Sequence, residues 1–299
     1  MIKVILCAIV AMPFIGTSQE SYWQQEVNYK MQVDVDVERH QLKGNQTLLY
    51  TNNSPDTLNK IYYHLYFNAF QPNGMMDVRS RSILDPDDRV MDRISKLNND
   101  EIGYHIIKNL SQDGTELSYN VEYTILEVEL AHPILPGGRT ELCMNFKSQI
   151  PVQIRRSGRD NKEGIAYSMA QWYPKIAAYD SRGWHANPYV AREFYAPWGQ
   201  FDVSITINKN YIIAASGILE NNNEIGYGYQ DDLSIDPKHN EEKLTWHFIN
   251  KKAHDFMWAA DPDYIHETAQ VPNGPKLHFF YQQSHATRHW KKLPEILIA

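Results

Sequence analysis

Tyr29-Lys30-Met31-Gln32-Val33-Asp34-Val35-Asp36-Val37-Glu38 alternates strictly between apolar and polar residues. A period of two sends the apolar side chains to one face of an extended strand and the charges to the other. The stretch therefore reads as a half-buried strand of an antiparallel sheet. Leu42 to Thr51 follows after the Arg39-His40-Gln41 turn and stops at the turn formers Asn52-Asn53-Ser54-Pro55, which predicts a hairpin. Ile61, Tyr63, Leu65 and Phe67 alternate with Tyr62, His64 and Tyr66, so both faces of this strand carry bulky groups and a central position is expected.

The same period recurs downstream. Strand character is present in Val121 through Leu130, Thr140 to Ile150 and Gly164 to Met169, then at Phe201, Val203, Ile205 and Ile207. Tyr211 to Leu219 is expected to pair with that last run as a hairpin across Asn208-Lys209-Asn210. Leu244 to Phe248, Phe256 to Ala260 and Lys276 to Tyr281 complete about a dozen strands. From Asn68 to Asp100 the periodicity vanishes among breakers such as Gln71-Pro72-Asn73-Gly74, and a long surface loop is expected. Only Ser284 to Ala299 reads as a helix, with Trp290, Leu293 and Leu297 at spacings of three and four despite Pro294. The expected fold class is all-β, a large antiparallel sheet or sandwich domain with a short C-terminal helix.

At 299 residues, 42% hydrophobic and 22% charged, the composition is that of a globular protein. A formal charge of -7 and the lack of a long basic run argue against nucleic acid as a partner. Residues 1–18 read as a signal peptide: Lys3, an apolar run from Val4 to Ile15 interrupted by Pro13, then Gly16-Thr17-Ser18 as cleavage region. That run is short for the ~20 residues of a membrane span. Export to the periplasm or outside is the expectation, with no membrane span after signal removal. Cleavage would remove Cys7 and leave Cys143 alone, so no internal disulfide is expected.

A zinc peptidase helix places two His four residues apart, with a Glu beside the first to activate the metal-bound water. His285-Ala-Thr-Arg-His289 has the spacing without the Glu, and His266-Glu267-Thr-Ala-Gln270 has the Glu without the second His. No catalytic and no metal-ligating residues are assigned. Cys143 reads as packing in a strand. Neither a Gly-x-Ser-x-Gly elbow nor a phosphate-binding glycine loop occurs, and no acidic pair marks a glycosidase.

The candidate site is the aromatic and proline-rich run Met169-Ala-Gln171-Trp172-Tyr173-Pro174-Lys175-Ile-Ala-Ala178-Tyr179-Asp180. Arg192-Glu193-Phe194-Tyr195-Ala-Pro197-Trp198-Gly199-Gln-Phe201-Asp202 lies close by. With Tyr211-Ile-Ile-Ala-Ala-Ser-Gly217 and His254-Asp255-Phe256-Met-Trp258-Ala-Ala-Asp261-Pro262 in order, this set resembles the amino-terminal domain of the M1 (gluzincin) zinc aminopeptidases. The resemblance is to the exported subgroup of Bacteroidetes-like bacteria and covers about residues 22 to 299.

The resemblance implies a saddle-shaped β domain over residues 19–283, followed at 284–299 by the start of a helix leading to a thermolysin-like catalytic domain. Gly-x-Met-Glu-Asn and His-Glu-x-x-His, which the family places in that domain, are absent here. The zinc cofactor would thus belong to a catalytic domain missing from this chain, and the chain alone is expected to be inactive. The parent reaction is removal of the N-terminal residue of a peptide substrate. Gln171 matches the family's glutamine that lines the pocket for the first side chain and helps place the amino end, a task suited to an amide that both donates and accepts. Tyr173 stands where many relatives carry an amine-binding acid, and is expected as pocket wall or hydroxyl donor. Trp172, Trp184, Tyr195 and Trp198 are expected in the core or at an interface. The alternative is a secreted β-sandwich that binds peptides or glycans without catalysis. An exposed aromatic row on one sheet face would favour it; Trp172 and Trp198 buried beneath Gln171 would favour the peptidase cleft.

Overall fold

The alternation from Tyr29 to Val37 becomes the spine of the protein in a computed structural model that describes residues 22–83, 88–190, 195–234, 237–283 and 287–298. The signal-peptide reading of residues 1–18, Arg192 to Phe194 and the His285 end of the near-miss zinc motif lie outside the described residues. In chain order the principal strands are β1 (Glu26–Asp36), β2 (Gln41–Thr51), β3 (Leu58–His64), β4 (Tyr104–Gln112), β5 (Ile125–Ile134), β6 (Arg139–Gln149) and β7 (Tyr167–Met169). They continue with β8 (Lys175–Ile176), β9 (Trp198–Asn208), β10 (Ile212–Ala215), β11 (Lys243–Ala253), β12 (Trp258–Asp261), β13 (Tyr264–Gln270) and β14 (Lys276–Gln282). The fold is all-β with short helical pieces, as the sequence predicts, and Trp290–Lys292 and Leu293–Ile298 form the short C-terminal helix.

An eight-stranded sheet runs in the order Ile218–Leu219, β11, β9, β1, β2, β6, β4, Thr115–Glu116. Along β1 the side chains of Val27, Tyr29, Met31, Val33 and Val35 are buried while those between them face outward. Two smaller sheets cover the apolar face. One joins β8, β3, β5 and Tyr119–Glu122, and the other β10, β12, β7 and Gly158–Arg159. A single apolar cluster links the layers, with Tyr29, Phe201, Trp246 and Phe248 from the large sheet against Tyr63, Trp172, Tyr173 and Trp258. The predicted β1–β2 hairpin is present, Glu26 opposite Thr51 and Asp36 opposite Gln41.

Three expectations are corrected. Tyr211 to Leu219 does not pair with β9. Instead β9 lies parallel to β1, Tyr29 opposite Phe201 and Val33 opposite Ile205, and antiparallel to β11. At Asn208 the side-chain Oδ1 accepts from Asn210 N and the carbonyl from Tyr211 N, both at 3.0 Å. That local turn carries the chain out of the sheet, so β10 pairs with β12 in another layer.

The strand at Ile61 ends at His64, and Tyr66–Ala69 is a 3-10 turn. The predicted loop from Asn68 to Asp100 holds a helix at Met75–Ser82 and a 3-10 turn at Ile94–Lys96. Buried Asp77 ties this segment together, accepting both Arg81 Nε and NH2 at 3.0 Å and the Asn73 backbone N–H at 2.8 Å. Phe70, Met76, Val90 and Ile94 pack with Ile154 and Tyr189 into a small second core.

Candidate functional site

Between β7 and β8 the run Ala170 to Pro174 crosses from one covering sheet to the other, and everything about it is fixed. Ile176 N donates to the Tyr29 hydroxyl at 3.0 Å, Gln46 Nε2 to the Pro174 carbonyl at 2.9 Å, and Trp172 Nε1 to the Phe256 carbonyl at 3.1 Å. Trp172 and Tyr173 are fully buried, their rings edge to face at 5.2 Å. Aromatic burial of this kind locks a loop whose own backbone makes few ladder bonds. Gln171, immediately before Trp172, turns the chain at φ +53°, a left-handed conformation that costs a non-glycine residue roughly 1–2 kcal/mol.

That geometry delivers three side chains to one carboxylate. Asp255 Oδ1 accepts the Tyr173 hydroxyl at 3.0 Å and lies 3.2 Å from Lys175 Nζ, while Oδ2 accepts the Gln171 amide N–H. Lys175 retains 2% of its side-chain exposure and Asp255 11%. Burial lowers the Lys175 pKa, and the neighbouring Asp255 opposes the shift. The ammonium makes no aligned hydrogen bond, so its stabilisation is the ion pair itself. Tyr173 has its hydroxyl pKa pushed well above the ordinary value, by burial first and by the Asp255 charge next.

The orientation of the Gln171 amide follows from its partner. A carboxylate only accepts, so Nε2 must face Asp255 and Oε1 must face the other way. That oxygen is buried and has no hydrogen-bond partner. An acceptor left without a donor costs about 1–3 kcal/mol. Gln171 and Asp255 line a shallow cleft of about 770 Å³ with Trp198, His254, Ser216 and Met257 at its walls.

The structure thus brings Gln171 to the cleft and puts the Tyr173 ring in the core, where only its hydroxyl acts, through Asp255. Trp172 is buried next to Gln171, Trp184 packs on Tyr62 and Tyr179 at 5.7 and 5.0 Å, and Trp198 and Tyr195 stand 44% and 49% exposed. Asp255 and Lys175 were given no role by sequence reasoning. The available signal was the composition around Lys175: a lysine inside Trp172-Tyr173-Pro174 and Ile176-Ala177-Ala178 must find a carboxylate if that run is buried.

Among the described residues no three His, Cys, Asp or Glu side chains assemble as a metal site, and His266 lies in strand β13. No described helix is long and apolar enough to cross a membrane.

No protein-family model matches the chain, and no curated protein matches it. Among solved structures, a variant of an M1 zinc metallopeptidase from Deinococcus radiodurans bound to a Tyr-Ser-Ala substrate is similar, with 15% identity and a TM-score of 0.48. The match covers 87% of this chain and 48% of that one. The M1 zinc metallopeptidase of the same organism matches at 11% identity and a TM-score of 0.47, over 92% of this chain and 52% of that chain. A two-domain M1 zinc metallopeptidase variant bound to L-tryptophan matches at 14% identity and 0.49, with the same coverage. This chain spans about half the length of these structures.

Proposed function

We propose that this chain is the substrate-cleft domain of an exported M1-type zinc aminopeptidase, noncatalytic by itself, which orients the amino end of a peptide for a catalytic domain. The observation that carries the reading is the clamped Gln171 amide: Asp255 holds its N–H, and its free Oε1 is buried at the edge of an open cleft. Once a small opening of the cleft floor uncovers that oxygen, a peptide α-ammonium would donate to it. Because the amide is already ordered by Asp255, and the loop by Trp172 and Tyr173, binding would cost little further conformational entropy. The motif order from Gln171 to Pro262 adds the sequence resemblance to the geometry. Burial of Trp172 beside Gln171 meets one half of the expectation for a cleft wall, whereas Trp198 is 44% exposed and does not meet the other half.

The reading implies no hydrolysis by this chain alone. Purified protein is incubated with aminoacyl-p-nitroanilides, and its affinity for a tripeptide is compared with that for the N-acetylated form. No release of nitroaniline, a preference for the free amine, and loss of that preference in Gln171→Ala are expected. Chelator-sensitive hydrolysis, or equal affinity for the acetylated peptide, would refute the reading.

A further inference from the structure

Trp198, which lines the Gln171 cleft, also lines a second pocket, of about 280 Å³, formed where Trp23, Tyr179, Tyr195 and Trp198 surround Asp180 and Ser181. We propose that this pocket is a carbohydrate site that takes a single pyranose ring. The proposal is independent of the peptide-cleft reading.

Size comes first. The volume falls just under the roughly 300–1,000 Å³ of pockets that enclose drug-sized ligands, so one ring fits and a longer unit must continue outside. The walls come next. Trp23 and Tyr179 stack at 5.9 Å with planes 27° apart, the Tyr179 hydroxyl is anchored on Asp56 at 2.8 Å, and Tyr195 is held edge-on to His185 at 4.9 Å. These rings offer electron-rich faces, which attract the partly positive C–H face of a sugar. Polar groups are interleaved with them. The Trp23 and Trp198 indole N–H groups have no hydrogen-bond partner among the described residues, and the Ser181 side chain is exposed. An acceptor carboxylate and donor N–H groups beside aromatic faces match a molecule that has hydroxyls on its rim and C–H groups on its face.

Two other ligand classes fit less well. An organic cation would seek uncompensated negative charge, but Asp180 is already paired with the Arg182 guanidinium at 3.2 Å, and His185 Nε2 occupies the same carboxylate oxygen at 2.8 Å. Burial opposes ionisation of Asp180, yet the hydrogen bonds from His185 and Arg182 outweigh it and hold the carboxyl well below the ordinary carboxylate range. A purely apolar ring would strip water from the two indole N–H groups and the carboxylate without replacing it.

The test titrates the whole chain with methyl glucopyranoside, galactopyranoside, mannopyranoside and N-acetylglucosaminide, and with trisaccharides of the same sugars. Saturation-transfer NMR and tryptophan fluorescence report binding. At least one glycoside should saturate with a Kd on the order of 1 mM, weakened about tenfold or more in Trp198→Ala and in Asp180→Asn. Ser181→Trp, at an exposed position, fills the pocket without touching the core and should abolish binding. Tighter binding of the trisaccharide would assign the source as a glycan chain, and equal binding as a free sugar; both support the site. No saturation by any sugar, binding unaltered in Ser181→Trp, or saturation only by tetramethylammonium or p-cresol would each overturn the proposal.

Discussion

Asp255 Oδ1 accepts the Tyr173 hydroxyl at 3.0 Å, and the same oxygen faces Lys175 Nζ, so one carboxylate holds the floor of the cleft to the strand beneath it. Removing its charge strands a buried ammonium. Asp255→Asn should destabilise the fold by about 3–5 kcal/mol, as for other buried pairs broken from one side. Asp255→Asn with Lys175→Met leaves no orphan charge and should recover most of that loss. Urea unfolding of the two singles and the double closes the cycle. A loss in the double equal to the sum of the two single losses would show that the pair is not coupled.

Gln171 combines backbone strain with an ordered side chain, and the two can be separated. Gln171→Gly relieves a left-handed residue by roughly 1–2 kcal/mol and forfeits a hydrogen bond to a charged group worth about 1.5–3 kcal/mol. Stability should therefore change by little, while the preference for a free amine disappears. Gln171→Val keeps the strain, adds a β-branch and loses the bond, so it should be clearly less stable than the glycine variant. A Gln171→Val chain as stable as Gln171→Gly would show that φ +53° carries no cost here.

His105 and His64 make the fold sensitive to acid. Burial lowers the His105 pKa from 6.5 to about 3, and that of His64 to about 4 with Lys175 adding to the shift. The unfolded chain takes up a proton near 6.5 and the folded chain only near these lower values. Stability is therefore complete above pH 6.5 and lost as pH falls, at about 1.4 kcal/mol per unit for each group. His105 already stacks on Phe67 at 4.8 Å with planes 8° apart. His105→Phe should thus keep the packing, lose about 1 kcal/mol at neutral pH from the bond to Ser148, and lose about 2 kcal/mol less than the native chain between pH 6.5 and 5. Urea midpoints across that range report the slope, and a native chain that gains stability toward pH 5 contradicts the assignment.

Legibility in the sequence followed the range of the physics involved. Alternation at Tyr29 to Val37 announces a strand and its buried face because those depend on neighbouring residues. It does not name a partner, which is why the parallel neighbour at Phe201 to Ile205 was invisible and a hairpin with Tyr211 to Leu219 was expected in its place. The helix at Met75–Ser82 lacks an apolar stripe because two of its three buried residues, Asp77 and Ser80, are polar and satisfied internally. At the candidate site, Gln171-Trp172-Tyr173 stood out by local composition. Asp255 did not, since its role arises only when a residue 84 positions away along the chain folds against it.

Gly199 tests the parallel pairing of β1 with β9 directly. The register of β9 against β11 shifts between Gly199 and Phe201, and there the backbone passes so close to β1 that an added Cβ would sit 1.5 Å from the Val27 carbonyl oxygen. Backbone atoms cannot rotate away as a side-chain tip can, so Gly199→Ala must push the strands apart at their Trp198 end. Overpacking of a close contact costs about 1–3 kcal/mol, and a clash with main chain belongs at the top of that range. Because Trp198 begins β9 and forms a wall of both pockets, the same substitution should also disturb its indole, seen as a shifted tryptophan emission. Gly114→Ala supplies the control: a Cβ there meets nothing within 4 Å, though its φ of +83° still disfavours alanine, so a modest backbone cost with unchanged Trp198 emission is expected. Equal unfolding midpoints for the two variants, with no change in emission for Gly199→Ala, would mean that β1 and β9 are not packed side by side in solution.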